Sequence, residues 1–72
     1  MNTDHITIIY NPHTKAQAER YMQEGKEEFR NNNFAQALDL YSKAISEYPV
    51  KAEFFTERAI CYHQMRKYIS NA

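Results

Sequence analysis

From Ala18 to Pro49 the chain reads AERYMQEGKEEFRNNNFAQALDLYSKAISEYP. Ala18, Tyr21, Met22, Gly25 and Phe29 recur at steps of three and four, which puts them on one face of a helix. Asn31-Asn32-Asn33 interrupts that pattern. Asparagine tolerates the left-handed backbone that closes a helix, and its side chain suits the cap of the next one. Phe34, Ala37, Leu38, Tyr41, Ala44, Ile45 and Tyr48 then form a second stripe at the same spacing. Asp39 and Lys43, four apart, predict an ion pair on its outer side. Pro49 ends this helix, because proline has no amide hydrogen to donate.

Working outward, Thr14 and Gln17 predict a capping box that opens the first helix. A third helix is expected from about Ala52 to Met65, with Phe55, Ala59, Tyr62 and Met65 inward. Tyr68 reads as the start of a fourth. Ahead of the helices, Ile6-Thr7-Ile8-Ile9-Tyr10 is β-branched and aromatic, as extended chain prefers. Asn11-Pro12 closes it with a turn signal. The run reads as an arm ahead of the domain, or alternatively as a strand for a partner's sheet edge.

The chain repeats with a period of 34. Tyr21 matches Phe55, Gly25 matches Ala59 and Phe34 matches Tyr68. Each match keeps size and kind: aromatic, tiny, aromatic. Two helices pack closely only where a tiny residue lets their backbones approach and large rings fill the space beside it. Glycine inside a helix costs about 1 kcal/mol against alanine, so Gly25 points to such an approach. The expected organisation is an extended arm over residues 1–13, a first helix pair over 14–51, and a second, truncated unit over 52–72.

Composition narrows the function classes. The 72 residues carry nine basic and nine acidic side chains, interspersed, for a net charge of zero. No field of one sign exists to gather nucleic acid or an anionic membrane. No apolar run has the length of a membrane span or of a signal sequence. The single Cys61 has no cysteine to pair with inside the chain, and it reads as a packing residue in a reducing compartment. Cys61 and His63 stand two apart on a helix and point to different sides. His5, His13 and His63 lack metal-ligand spacing, so neither a metal nor a cofactor is expected. One glycine cannot build a phosphate-binding loop. Glu24, Glu27 and Glu28 read as a solvated helix face. No nucleophile, base or metal set converges, so an enzyme is not expected.

Tyr21, Gly25, Phe34, Ala37, Tyr41, Ala44 and Pro49 resemble the large–small–aromatic–Ala–aromatic–Ala–Pro signature of tetratricopeptide (TPR) repeats. Phe55, Ala59, Tyr62 and Tyr68 continue it, and Asn71 departs from it where the signature has Ala. The resemblance covers about three quarters of the chain and implies an all-α fold of antiparallel helix-turn-helix repeats, about one and a half units. Gly25-Lys26-Glu27-Glu28-Phe29, Leu40 through Ile45, and Ala52 through Phe55 with Arg58-Ala59 are similar to co-chaperone repeats, those of Sgt-type adaptors above all. The resemblance implies an adaptor that binds protein or peptide, with a heat-shock chaperone or a ubiquitin-ligase component as partner. It implies a cytoplasmic or nuclear location.

The resemblance also implies where a ligand lies: in the concave groove of the first helices. Groove positions are then Glu19, Met22, Lys26, Phe29 and Arg30, followed by Glu53, Thr56, Glu57, Ile60 and His63. Many co-chaperones grip acidic C-terminal tails there with a Lys and two Asn. The matching positions here are Met22, Lys26 and Glu57. Glu57 repels an acidic tail, so recognition of that type is not expected. Met22 and Phe29, flanked by Lys26 and Arg30, form either a different ligand surface or a solvated helix face. The third helix is expected to keep one bare apolar side. Association of two copies through it is the alternative function.

Overall fold

The computed structural model describes residues 12–70. The expected arm, Ile6–Tyr10, lies outside them. Three helices follow one another: α1 (Pro12–Arg30), α2 (Phe34–Glu47) and α3 (Ala52–Ser70). The short connections, residues 31–33 and 48–51, fold each helix back beside its predecessor, and α2 packs against both α1 and α3. This is an all-α, antiparallel helical-repeat arrangement with no strand among the described residues.

α1 begins two residues before the expected capping box. Pro12 occupies its first position, where the missing amide hydrogen has no intrahelical partner to lose and the fixed φ suits the helix. Thr14 therefore lies inside the first turn rather than at the cap.

α1 ends as the asparagines require. Asn32 adopts φ 63°, the left-handed conformation. The Asn33 amide donates to the Glu28 carbonyl at 2.8 Å and the Asn32 amide to the Phe29 carbonyl at 3.0 Å. These two bonds define a Schellman motif, which satisfies carbonyls left over at the helix end. Asn33 stands at the N-cap of α2, but its side chain does not cap that helix. Its Nδ2 donates instead to Glu28 Oε1 at 2.7 Å, tying the turn back to α1.

The core consists of Ala18, Met22, Ala37, Tyr41, Ala44, Phe54 and Cys61. Tyr21, Phe29, Phe34, Leu38, Ile45 and Tyr48 pack around it. The stripes expected on α1 and α2 are therefore the buried ones. Asp39 and Lys43 form their pair at 3.6 Å on the outer side of α2.

α3 departs from expectation twice. Its buried residues are Phe54 and Cys61, not Phe55, Ala59 and Tyr62. Phe55 is 41% exposed, Tyr62 is 52% exposed and Ala59 is exposed. The reason is angular: neighbours on a helix differ by about 100°, so Phe54 and Phe55 cannot both face α2. Phe54 and Cys61, seven apart, turn toward α2, and the Cys61 thiol lies 3.6 Å from the Phe34 carbonyl oxygen. Burial raises the Cys61 pKa, as expected of a packing thiol.

The second departure is length. α3 runs to Ser70 without the break expected near Met65. Met65-Arg66-Lys67 stands 34 residues after Asn31-Asn32-Asn33. All three are good helix formers, and none favours the left-handed conformation that Asn32 adopts. Tyr68 consequently sits on α3 itself. Its ring meets Phe34 edge-on at 5.6 Å, and Phe34 meets Phe29 at 5.5 Å.

Gly25 sets the distance between α1 and α2. A methyl group at this position would stand 2.5 Å from Tyr41 Cε1 and 2.6 Å from Cδ1. Tyr41 is 1% exposed and has nowhere to retreat. We predict that Gly25→Ala lowers stability, despite the gain of up to about 1 kcal/mol in helix propensity, because overpacking costs about 1–3 kcal/mol. Thermal unfolding followed by circular dichroism should show a lower Tm. A Tm equal to or above that of the wild type would mean that the two helices do not meet here.

Candidate peptide-binding cleft

A shallow cleft opens where α1 and α3 face each other. Both helices lean on α2, so neither fills the space between them. The cleft is lined by Glu19, Met22, Gln23 and Lys26 of α1, and by Lys51, Glu53 and Phe54. Its floor is apolar and its rim is charged. Met22 and Phe54, both in the core, supply the floor.

The rim is paired across the cleft. Lys26 Nζ lies 3.4 Å from Glu53 Oε2 and 4.0 Å from Glu57 Oε2. Lys51 donates to Glu19 Oε2 at 2.9 Å and lies 3.9 Å from Glu53 Oε1. The Lys51–Glu19 hydrogen bond raises the Lys51 pKa and lowers that of Glu19. Lys51 also lies over the Phe54 ring, 5.5 Å from its centroid. Three carboxylates (Glu19, Glu53, Glu57) therefore face two ammonium groups (Lys26, Lys51), a balance of minus one. Such a rim does not concentrate anions.

Of the ten expected groove positions, Glu19, Met22, Lys26, Glu53 and Glu57 come together here. Met22 is 3% exposed, so it is floor rather than a free contact group. Phe29 is drawn away to the aromatic contact with Phe34. Arg30 pairs with Glu27 on the outer surface of α1. The Thr56 hydroxyl donates to the Ala52 carbonyl at 3.3 Å. Ile60 is 45% exposed on α3. His63 lines a separate hollow with Arg66, Lys67 and Ser70 near the end of α3.

Sequence reasoning missed Lys51 and Phe54. Lys51 belongs to a connection, and helical periodicity does not extend there. Phe54-Phe55 offers two equal rings at adjacent positions, and only packing against α2 selects one. Among the described residues, no group of three or more His, Cys, Asp or Glu is placed to hold a metal ion. No described helix is long and apolar enough to cross a membrane.

A helix pair crossing at a glycine, with a third helix folded back against the second, is packing consistent with tetratricopeptide units. The chain is similar to small glutamine-rich tetratricopeptide repeat-containing protein alpha. It is 45% identical over 47 residues to the protein of Rattus norvegicus, across 65% of this chain and 15% of the relative. It is 40% identical over 50 residues to those of Homo sapiens and Bos taurus, across 69% of this chain and 16% of each relative. The chain thus spans about one sixth of the length of these relatives. No family model matches the chain, and no solved structure matches it.

Tyr41 connects the cleft to the core. Burial, and next the charge of Glu57, push its pKa from 10.0 up to about 12. The folded state keeps the phenol proton that the unfolded chain gives up near pH 10. The stability contribution is full below pH 10 and is lost as pH rises toward 12. We expect a loss of about 2 kcal/mol across that window, from about 1.4 kcal/mol per pKa unit. Urea unfolding at pH 9, 11 and 12 reads it out. Tyr41→Phe should reduce the alkaline loss to the part owed to Cys61 and Lys51, whose pKa values are also raised; an unchanged loss would assign it to those groups instead.

Proposed function

We propose that this chain is a non-enzymatic protein-interaction module of the TPR adaptor type, acting as a co-chaperone scaffold in the cytoplasm or nucleus. Its cleft takes an extended segment of a partner, a heat-shock chaperone or a ubiquitin-ligase component. Recognition does not use the clamp for acidic tails. The observation that carries this reading is Lys26 held between Glu53 and Glu57. A carboxylate entering the cleft would have to displace both acids from the one lysine. Met22, at the expected lysine position of a clamp, is buried and uncharged.

The segment that fits has a basic side chain for the acids of the rim. Thr56 and Ile60 of α3 extend the surface beyond the cleft, whereas Phe29, Arg30 and His63 lie apart from it. Ile60 is the exposed apolar group best placed to add contact area.

Fluorescence anisotropy with labelled peptides tests the reading. The wild-type chain should bind peptides with alternating Lys and Leu more tightly than peptides ending in consecutive acids. Glu57→Asn should strengthen acidic-tail binding by roughly threefold to tenfold, because it removes a repulsion and leaves Lys26 with Glu53 as its one acidic partner across the cleft. Wild-type preference for the acidic tail would overturn the proposed specificity. Unaltered capture of a partner by the Lys26→Ala, Arg30→Ala double variant would remove the cleft as its site.

A further inference from the structure

Two lysines bridge the cleft, and their bonds are unequal. Lys51 donates to Glu19 Oε2 at 2.9 Å, an ordinary hydrogen-bond length, and its ammonium also lies over the Phe54 ring at 5.5 Å. That hydrogen bond raises the Lys51 pKa and lowers that of Glu19. Lys26 has no comparable commitment. Its Nζ stands 3.4 Å from Glu53 Oε2 and 4.0 Å from Glu57 Oε2, both longer than a charged pair in full contact. Glu53 shares its other oxygen with Lys51 at 3.9 Å. Among the described residues, Lys26 is the one cation paired with Glu57. One ammonium thus hangs between two carboxylates and is closely bonded to neither.

A partly exposed ion pair contributes little net stability, because lost hydration and side-chain freedom offset the attraction. Exchanging one cation for another at Glu53 and Glu57 therefore costs the chain little. Lysine carries its charge on a flexible four-carbon stem, so Lys26 can swing out of the cleft with no movement of backbone. We propose that Lys26 is a tethered competitor: in the free chain it fills the place at Glu53 and Glu57 that the basic side chain of a partner segment takes on binding. Lys51 stays with Glu19, about two helical turns away along α1, as a fixed brace. This role rests on the cleft being the binding site. Its consequence is regulatory. While Lys26 occupies the acids, an incoming cation replaces an ion pair instead of adding one. Without the Lys26 charge, three carboxylates face one ammonium, and the balance of the rim moves from minus one to minus two.

The labelled peptide of alternating Lys and Leu, titrated with the full chain, serves as the probe. Lys26→Met keeps a long side chain and removes its charge. This variant should bind the peptide roughly twofold to fivefold more tightly than the wild type. Its affinity should also fall more steeply with added salt, because binding there forms a new ion pair. Lys26→Arg should bind the peptide more weakly, since a guanidinium fork can hold both carboxylates at once. Glu57→Gln added to Lys26→Met should lose most of the gain. Lys43→Met removes the same charge from the outer side of α2, where Lys43 pairs with Asp39, and should leave the affinity unchanged. Equal or weaker binding by Lys26→Met, beside intact wild-type binding, would overturn the competitor and leave the cleft standing. An equal gain in Lys43→Met would overturn it too, by assigning the effect to net charge. Failure of the peptide to bind both the wild type and Lys26→Met would overturn the cleft as a site for basic segments, and the competitor with it.

Discussion

The fold depends on one close approach. Gly25 has no side chain, and the Tyr41 ring occupies the space where one would be. Everything around this contact follows from it. Ala18 and Met22 on α1, with Ala37 and Ala44 on α2, line the same seam and are buried with it. A helix pays for a glycine in backbone freedom, and here the return is a ring packed directly against the neighbouring backbone. Tyr41 in turn faces the third helix, where the charge of Glu57 reaches its phenol. One contact therefore joins the first hairpin, the core and the floor beneath the cleft.

The two halves of the repeat differ most where their turns should match. Asn32 accepts a left-handed backbone, and the Schellman bonds close α1 around it. Arg66 occupies the corresponding place in a continuous helix. The same repeat thus yields a hairpin in one unit and a single long helix in the next. An apolar stripe on α3, Phe55, Tyr62 and Ile69, is exposed. Its neighbour stripe, Phe54 and Cys61, is the one that enters the core.

In the proposed function, electrostatics separates this chain from a binder of acidic tails. Each lysine of the cleft is committed to a carboxylate across it. Such exposed pairs contribute little to stability and are weakened by salt. In the proposed function their effect lies in selection, because they set which charges an incoming segment must bring. Similarity to the small glutamine-rich tetratricopeptide repeat-containing proteins, 40–45% identical over 47 to 50 residues, agrees with the repeat-like packing of the helices.

Much of the architecture was legible before any coordinates. The steps of three and four in α1 and α2, the asparagine turn, Pro49 and the 34-residue period all express local backbone preference and helical periodicity. Those are properties of neighbours along the chain, so residues alone determine them. Gly25 could be read as a crossing because nothing else explains a glycine there. Which ring of Phe54-Phe55 enters the core could not be read, because both rings are equally apolar and only contact with α2 distinguishes them. Nor could the union of Lys26 with Glu53 and Glu57, or of Lys51 with Glu19, since each joins residues 27 to 32 positions apart. The sequence by itself determined the helices, their turn and their repeat; tertiary packing decided which faces are buried and which charges meet, because those depend on how one helix is rotated against another.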